Sequence, residues 1–150
     1  MSIELLGEPF DPWRRLSDRD QELREADRGC GACSSFVGIM RPKNDGLAVR
    51  EMILEYYPKM TQRQLSNIVD EAYERWPIEH IDVVHRVGAI RPGDTIVLVG
   101  VWSAHRGPAI NGCRHILEHL KRQAPFWKKE ILTDGSSRWV TGNTDVIYEQ

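Results

Sequence analysis

The sequence predicts an α+β fold for a chain of 150 residues. Two apolar stretches, 81–90 and 95–102, flank Arg91-Pro92-Gly93-Asp94, in which proline and glycine occupy the positions that a type II turn favours. The two stretches are therefore expected to form a hairpin, which makes the sheet at least partly antiparallel. A helical pattern precedes the hairpin and a longer one follows it, so helices and sheet are expected to pack as layers.

The first third of the chain supplies further strands. Residues 1–29 begin with a short apolar-polar stretch and continue as a peripheral helix or ordered arm that is rich in charge. Residues 32–40 and 48–56 have the composition of strands, and 41–46 contains the turn-forming sequence Asn-Asp-Gly. Arg41 therefore stands at the end of a strand, where it is either simply solvated or part of a site.

Two amphipathic helices follow. Thr61-Gln62-Arg63-Gln64 matches a capping box and begins a helix that Pro77 ends, which we interpret as scaffold. The second helix begins at Gly107-Pro108, is stopped by Pro125, and precedes a short strand at 138–140. Its apolar positions recur at the helical period: Ile110, Cys113, Leu117, Leu120 and Ala124. Lys121 lies one step off this stripe, so its stem is expected to be half buried while its amine reaches outward.

The length and composition limit the function classes. One domain spanning 1–150 is expected, with 41% hydrophobic and 28% charged residues, which is ordinary for a globular protein. No apolar stretch is long enough to span a membrane and the N-terminus lacks the features of a signal peptide, so a cytoplasmic location is expected. The net charge of -2 argues against a general nucleic-acid binder but allows a small anionic ligand.

The three cysteines do not form a disulfide framework and fit a reducing compartment. Cys30 and Cys33 have the spacing of a zinc or redox pair, but a structural zinc would need a second pair of ligands, and Cys113 lies far away in the sequence. We therefore interpret Cys30 and Cys33 as small core residues. The sequence contains no glycine-rich phosphate loop, HExxH motif or dinucleotide fingerprint, so no metal and no cofactor are expected.

Positive charge is concentrated in residues 101–130. This segment contains six basic and two acidic residues and hence a local charge of +4: Arg106, Arg114, Lys121, Arg122, Lys128 and Lys129 against Glu118 and Glu130. His105-Arg106 follows an apolar strand and precedes a helix, a layout suited to a phosphate or carboxylate. The sequence therefore predicts an anion-binding cleft.

The residues alone leave two interpretations of Lys121 and Lys128 open. A lysine that is partly buried among other cations has its neutral form favoured, and it can then serve as a general base or nucleophile. Alternatively, Lys121 complements the helix dipole and Lys128 is a solvated surface residue. His85, inside a predicted strand, is interpreted as a half-buried histidine with satisfied hydrogen bonds rather than a catalytic one.

Several separate motifs are spread along the chain from about Gly29 to Trp139: Phe36-Val37-Gly38-Ile39-Met40-Arg41, Leu54-Glu55-Tyr56-Tyr57-Pro58-Lys59-Met60, His85-Arg86-Val87-Gly88, Pro92-Gly93-Asp94, Ser103-Ala104-His105-Arg106 and Leu120-Lys121-Arg122-Gln123-Ala124-Pro125-Phe126-Trp127-Lys128-Lys129-Glu130. In this order and spacing they resemble the large catalytic subunit of molybdopterin synthase. The resemblance implies an α/β hammerhead fold with an additional antiparallel β subdomain, and a homodimer within a heterotetramer.

The resemblance also implies an activity and its residues. A small ubiquitin-like sulfur-carrier subunit would insert its thiocarboxylated C-terminus, and cyclic pyranopterin monophosphate would be converted to molybdopterin. By motif, Lys121 stands beside the thiocarboxylate and Lys128 is the second catalytic lysine. The remaining positions implied for substrate binding are Arg41, His105 and Arg106 around the phosphate, with Phe36 at the wall of the pocket.

The chain departs from the family pattern at one position. The family has a further arginine a few residues after the tryptophan that corresponds to Trp139, whereas here the sequence reads Val140-Thr141-Gly142-Asn143. Arg138 is a possible substitute. The departure keeps an alternative open, in which the chain is a non-catalytic module that docks the tail of a ubiquitin-like carrier.

Overall fold

The computed structural model describes residues 1–123 and 125–140. Ala124, the last predicted apolar position of the second helix, lies outside the described residues, as does 141–150, where the family arginine is expected. In chain order the elements are β1 (Ser2–Leu6), α1 (Pro12–Glu25), β2 (Ala32–Ile39), β3 (Lys43–Asn44), β4 (Leu47–Tyr56), α2 (Pro58–Arg75), β5 (His80–Arg86), β6 (Gly88–Ile90), β7 (Thr95–Ser103), α3 (Arg106–Gln123), β8 (Phe126–Leu132) and β9 (Ser137–Val140). None of the three described helices is long and apolar enough to cross a membrane.

Four strands form the first sheet, in the order β1-β5-β7-β2. β1 is parallel to β5, and the other two pairs are antiparallel. The predicted antiparallel pairing of the two stretches is confirmed for β5 and β7, and Gly93 has the positive φ of 89° that the third residue of a type II turn requires. The sequence predicted only an ordered arm or helix before residue 30, whereas β1 is an edge strand of this sheet.

Helices cover both faces of the first sheet. α2 and α3 share the larger core with alternate residues of β5 and β7: Leu65, Ile68, Val69, Ala72, Ile78, Ile81, Val83, Val97, Val99, Val101, Cys113, Ile116 and Leu120. Side chains alternate along a strand, so Asp82 and Trp102 face away from this core. They contact α1, since Arg19 Nε donates to Asp82 Oδ2 at 2.8 Å and Trp102 Nε1 donates to Asp20 Oδ1 at 3.3 Å.

The buried stripe of α3 differs from the predicted one. Its buried residues are Ala109, Gly112, Cys113, His115, Ile116 and Leu120. Ile110, predicted to lie in the stripe, is 54% exposed. Small residues explain the difference, because a Cβ at Gly112 would lie 2.6 Å from Ile78 Cδ1. The helix therefore approaches the sheet closely along its small residues, which a search for large apolar side chains overlooks.

The second sheet is antiparallel and has its own core. Its main order is β3-β4-β8-β9, and β6 also pairs with β4. The core is small and apolar: Met40, Val49, Met52, Leu54 and Ile90. This sheet corresponds to the antiparallel subdomain that the resemblance implies, and the predicted α+β class is confirmed.

The predicted strand at 81–90 is divided between the two sheets. β5 ends at Arg86, and the Val87 amide donates to Leu6 O at 2.9 Å. Gly88 then adopts a φ of 77°, a conformation that favours glycine, and the chain joins the second sheet as β6. A continuous strand was therefore a wrong prediction, because an apolar pattern does not show where a strand changes sheets.

The predicted capping box at Thr61 is also wrong. α2 begins one turn earlier, at Pro58, with Tyr57 at the N-cap position. The fixed φ of proline suits the first helical turn, so the helix begins at Pro58. Thr61 is fully buried inside the helix.

The cysteines are free thiols. Cys113 belongs to the larger core, whereas Cys33 is exposed and Cys30 is only half buried. The interpretation of Cys30 and Cys33 as core residues is therefore wrong. Cys30 precedes β2, and Cys33 lies on a face of β2 that the larger core does not cover.

Candidate active site

Lys121 lies in the last turn of α3. The preceding residue, Leu120, is 4% exposed and fixes this turn against the larger core. Lys121 as a whole is exposed to solvent. Desolvation by burial and, secondarily, the positive charge of Arg41 nevertheless lower the pKa of its amine. The Lys121 amine is therefore less solvated than the amine of a free lysine. It also lies close enough to Arg41 to be affected by its positive charge.

Lys128 lies on β8, where its register partners are Leu54 of β4 and Val140 of β9. Burial lowers the pKa of its amine, the charge of Lys121 lowers it further, and Glu130 opposes the shift. The amines of Lys121 and Lys128 therefore lie on the same side of the molecule, close enough to interact.

Two hydrogen bonds to α2 fix the segment between Lys121 and Lys128. Thr61 Oγ1 donates to Pro125 O at 3.4 Å, and Gln64 Nε2 donates to Gln123 Oε1 at 3.2 Å. Gln123 is the last residue of α3, and Pro125 directly precedes β8. The distance from Lys121 to Lys128 is therefore set by packing against α2 as well as by the chain itself.

His85 is a third titratable group of this cluster. Its side chain is buried and stacks on Phe126, with ring centroids 4.2 Å apart. His85 Nδ1 lies 2.7 Å from Arg86 O, and because a carbonyl only accepts, Nδ1 carries the hydrogen. Burial, the largest cause, lowers the pKa of His85 to about 4; its hydrogen bond opposes this, and the charges of Lys121 and Lys128 add to it. The imidazole is therefore neutral at pH 7.

Glu130 forms its hydrogen bonds with residues of the second sheet. Its carboxylate is buried and accepts hydrogen bonds from Asn44 Nδ2 and Arg138 Nε, each at 3.0 Å. Arg138 Nη2 also lies 3.4 Å from Asp45 Oδ2. Arg138, considered as a substitute for the family arginine, is thus paired with two carboxylates of the second sheet.

His105 and Arg106 border a separate hollow. It has a volume of about 590 Å³, and its lining comes from the strand end, the helix start and one residue before β2: Gly31, Ala104, His105, Arg106, Gly107 and Pro108. Both functional side chains are exposed. Gly31 permits a close approach here, because a Cβ at that position would lie 2.4 Å from Ala104 O. The hollow is open to solvent, so the exposed side chains of His105 and Arg106 are accessible to a ligand.

α3 separates this hollow from the lysines. Arg106 is its first residue and Lys121 belongs to its last turn. At 1.5 Å per residue, the helix places them roughly 22 Å apart. Arg106 and Lys121 therefore lie at opposite ends of α3 within one chain, and the roles of Arg41, His105 and Arg106 in binding the phosphate stay predictions.

The remaining predicted residues lie on or just after β2. Arg41 is exposed and follows Met40, whose amide donates to Asp94 O at 2.9 Å. Phe36 is half buried, pairs with Val99 of β7 and packs against the larger core. The structure thus brings together Arg41, Lys121 and Lys128, whereas a contact of Phe36 with substrate stays a prediction.

Sequence reasoning missed His85 and Phe126 as parts of this cluster. The apolar residues around His85 did indicate burial, because a histidine inside the strand pattern from Ile81 to Ile90 is expected to be shielded from solvent. Its stacking on Phe126 joins β5 to β8 and depends on tertiary structure. No local pattern in the sequence could have predicted that pairing.

Comparison with known proteins identifies relatives along most of the chain. A family model described as MoaE protein matches residues 8–123. The molybdopterin synthase catalytic subunit of Pseudomonas aeruginosa is 43% identical over 142 residues, which cover 95% of this chain and 91% of that protein. The corresponding subunit of Escherichia coli is 44% identical over 135 residues, which cover 90% and 82%.

Solved structures have the same fold. The molybdopterin biosynthesis MoaE protein from Burkholderia ambifaria has a TM-score of 0.76 and 40% identity, covering 95% of this chain and 90% of that one. A protein–protein complex of subunits 1 and 2 of molybdopterin-converting factor from Helicobacter pylori has the same TM-score at 19% identity, covering 91% and 88%. The chain therefore belongs to the MoaE family of molybdopterin synthase catalytic subunits.

Proposed function

We propose that this chain catalyses sulfur transfer from the C-terminal thiocarboxylate of a small ubiquitin-like carrier subunit to cyclic pyranopterin monophosphate, giving molybdopterin. The observation that carries the proposal is the convergence of the Lys121 and Lys128 amines, both with lowered pKa values, beside Arg41. The carrier's tail and the substrate phosphate are both anions, so each suits this cationic cluster. Membership of the MoaE family supports the same reaction.

The chemistry requires both charge stabilisation and proton transfer. The thiocarboxylate sulfur attacks a side-chain carbon of the pterin and forms a thioester as a C–O bond of that carbon breaks, and the departing oxygen takes up a proton. Hydrolysis of the thioester by water then leaves a thiol on the pterin and a carboxylate on the carrier. Negative charge develops on oxygen during hydrolysis, and fixed cations stabilise it. A lysine with a lowered pKa also exchanges protons closer to neutral pH than an ordinary lysine. In this proposal Lys121 contacts the thiocarboxylate and Lys128 assists as the second proton carrier.

The phosphate is proposed to be held by residues of two protomers. Arg41 is available beside Lys121, but Arg106 is roughly 22 Å away along α3. A two-fold dimer can bring the start of a helix in one protomer to the end of the same helix in the other. We therefore assign His105 and Arg106 to the site of the partner protomer, with Phe36 forming an apolar wall beside the pterin. The homodimer with two carriers is the proposed heterotetramer.

A mixed-dimer experiment tests the shared site. Lys121→Ala and Arg106→Ala chains are unfolded, mixed in equal amounts and refolded, and dithiolene formation is measured. If the site is shared, each mixed dimer contains one site with both wild-type residues, so about a quarter of wild-type activity is expected from random pairing. Each variant alone should be nearly inactive. Mixtures no more active than the separate variants would show that Arg106 does not act across the dimer.

Reconstitution separates catalysis from the alternative function, a non-catalytic docking module. The chain is combined with thiocarboxylated carrier and cyclic pyranopterin monophosphate, and molybdopterin is measured after oxidation to a fluorescent derivative. We expect conversion of the pterin and loss of the thiocarboxylate in step with it. Tight binding of the carrier with no conversion of the pterin would favour the docking module.

A further inference from the structure

Three potential metal ligands meet between α2 and α3, apart from the cluster described above. Glu71 comes from α2, and His115 and His119 lie one turn apart on α3. One ligand atom from each side chain lies within 4.8 Å of the other two. The i, i+4 spacing places both imidazoles on one face of the helix, the arrangement used when a helix supplies two histidines to a metal.

His115 directs an unpartnered nitrogen into this group. The residue is 7% exposed and its Nε2 is buried, yet no described residue forms a hydrogen bond with that atom. Glu71 Oε2 lies 3.6 Å away, slightly beyond hydrogen-bonding distance. Buried polar atoms normally have a partner, so this buried nitrogen, facing a carboxylate, points to a ligand at this position.

His119 has the tautomer that a metal ligand needs. Its Nδ1 lies 2.8 Å from His115 O, and because a carbonyl oxygen only accepts, Nδ1 carries the hydrogen. Nε2 is therefore the His119 nitrogen left to bind a metal. A metal-bound histidine usually makes this kind of backbone hydrogen bond with its other nitrogen, which fixes the ring orientation.

The separations suit a four-coordinate ion. Ligand distances of about 2.0–2.2 Å place neighbouring ligand atoms of a tetrahedral zinc site roughly 3.3–3.6 Å apart. The separation of 3.6 Å between His115 Nε2 and Glu71 Oε2 already falls in that range. The three ligand atoms lie within 4.8 Å of one another, and Glu71 and His119 are only half buried, so rotation of these two side chains can bring the atoms closer together. Three protein ligands leave the fourth coordination position open to water.

The two imidazoles pack against each other and against Trp76. The His115 and His119 rings have centroids 3.9 Å apart, and Trp76 packs against His115 in a T-shaped contact at 5.4 Å. These ring contacts hold the two imidazoles side by side on one face of α3.

We propose that Glu71, His115 and His119 bind Zn²⁺, with water as the fourth ligand, and that the ion links α2 to α3. Nitrogen and carboxylate ligands in this number are typical of zinc. The proposal revises the sequence-based expectation of no metal site. It does not depend on the sulfur-transfer chemistry, because none of the three side chains belongs to the lysine cluster.

Zinc titration of the full chain tests the site. Protein treated with EDTA and dialysed is titrated with ZnCl₂ in competition with a chromophoric chelator. We expect one tight equivalent per chain, a rise in the thermal unfolding midpoint, and visible d–d absorption of four-coordinate type when Co²⁺ replaces Zn²⁺. Loss of an outer-shell partner alone typically weakens zinc binding by about 10- to 100-fold, so His119→Gln and Glu71→Gln should each weaken it by at least that factor.

Matched variants separate this site from other zinc ligands. Both tested residues are half-exposed, so their substitution should leave the fold intact, which circular dichroism will check. Glu74→Gln, an exposed change on the same helix, and the double change Cys30→Ser/Cys33→Ser should bind zinc like the wild type. Unchanged affinity in His119→Gln and Glu71→Gln, or loss of binding in the cysteine variant, would overturn the proposal.

Discussion

Lys121→Ala is expected to lower the rate of dithiolene formation about 10²- to 10⁴-fold, the usual effect of losing a positioned group that transfers a proton. The Lys121 amine is desolvated and adjacent to Arg41, which lowers its pKa and makes proton exchange easier near neutral pH. Alanine removes both this proton exchange and the charge that attracts the carrier's thiocarboxylate. The measurement is turnover in the reconstituted assay with carrier and pterin at saturating concentrations.

Arg122→Ala is the matched control for this prediction. Arg122 is the next residue of α3, has a 74% exposed side chain, and forms a 3.6 Å ion pair with Glu118. A surface pair of this kind contributes about 0–1 kcal/mol, so stability and turnover should both stay close to wild type. Equal loss of activity in Arg122→Ala would mean that the general charge of the helix end matters instead of the Lys121 amine. Wild-type turnover in Lys121→Ala would remove Lys121 from the mechanism.

The fold was largely predictable because its signals are local. The turn at Pro92-Gly93 and the alternation in the apolar strands depend on a few consecutive residues, and both predict the structure well. The errors occur where distant packing decides the outcome. Gly88 sends one strand into another sheet, and the small residue Gly112 lets α3 approach the first sheet, so Ile110 is left in solvent.

The candidate site was predicted in part. The resemblance selected Lys121 and Lys128, and their mutual interaction follows from the short connection between α3 and β8. The resemblance also placed Arg106 in the site, but the length of α3 puts it at the opposite end of the helix from Lys121 within one chain. His85 and Phe126 belong to the cluster through a contact between two sheets, and the linear sequence contains no signal for such a contact.

Lys128→Ala is expected to lower turnover about 10²- to 10³-fold, comparable to the loss of one group that stabilises charge in a transition state. Lys128 is partly buried, and its pKa is lowered by burial and by the charge of Lys121, so it combines a positive charge with ready proton exchange. Lys128→Arg distinguishes these two properties, because arginine keeps the charge and does not release a proton at neutral pH. We expect Lys128→Arg to be nearly as inactive as Lys128→Ala.

Lys129→Ala provides the control, because adjacent residues of a strand point to opposite faces. The Lys129 amine lies 5.8 Å from the ring centroid of Trp139, a cation–π contact worth about 0.5–1 kcal/mol at an exposed site, so its loss should lower stability slightly and leave turnover intact. Lys128→Arg with wild-type turnover would reduce the role of Lys128 to that of a fixed charge. Equal losses in Lys128→Ala and Lys129→Ala would indicate that β8 as a whole, instead of the amine beside Lys121, limits the reaction.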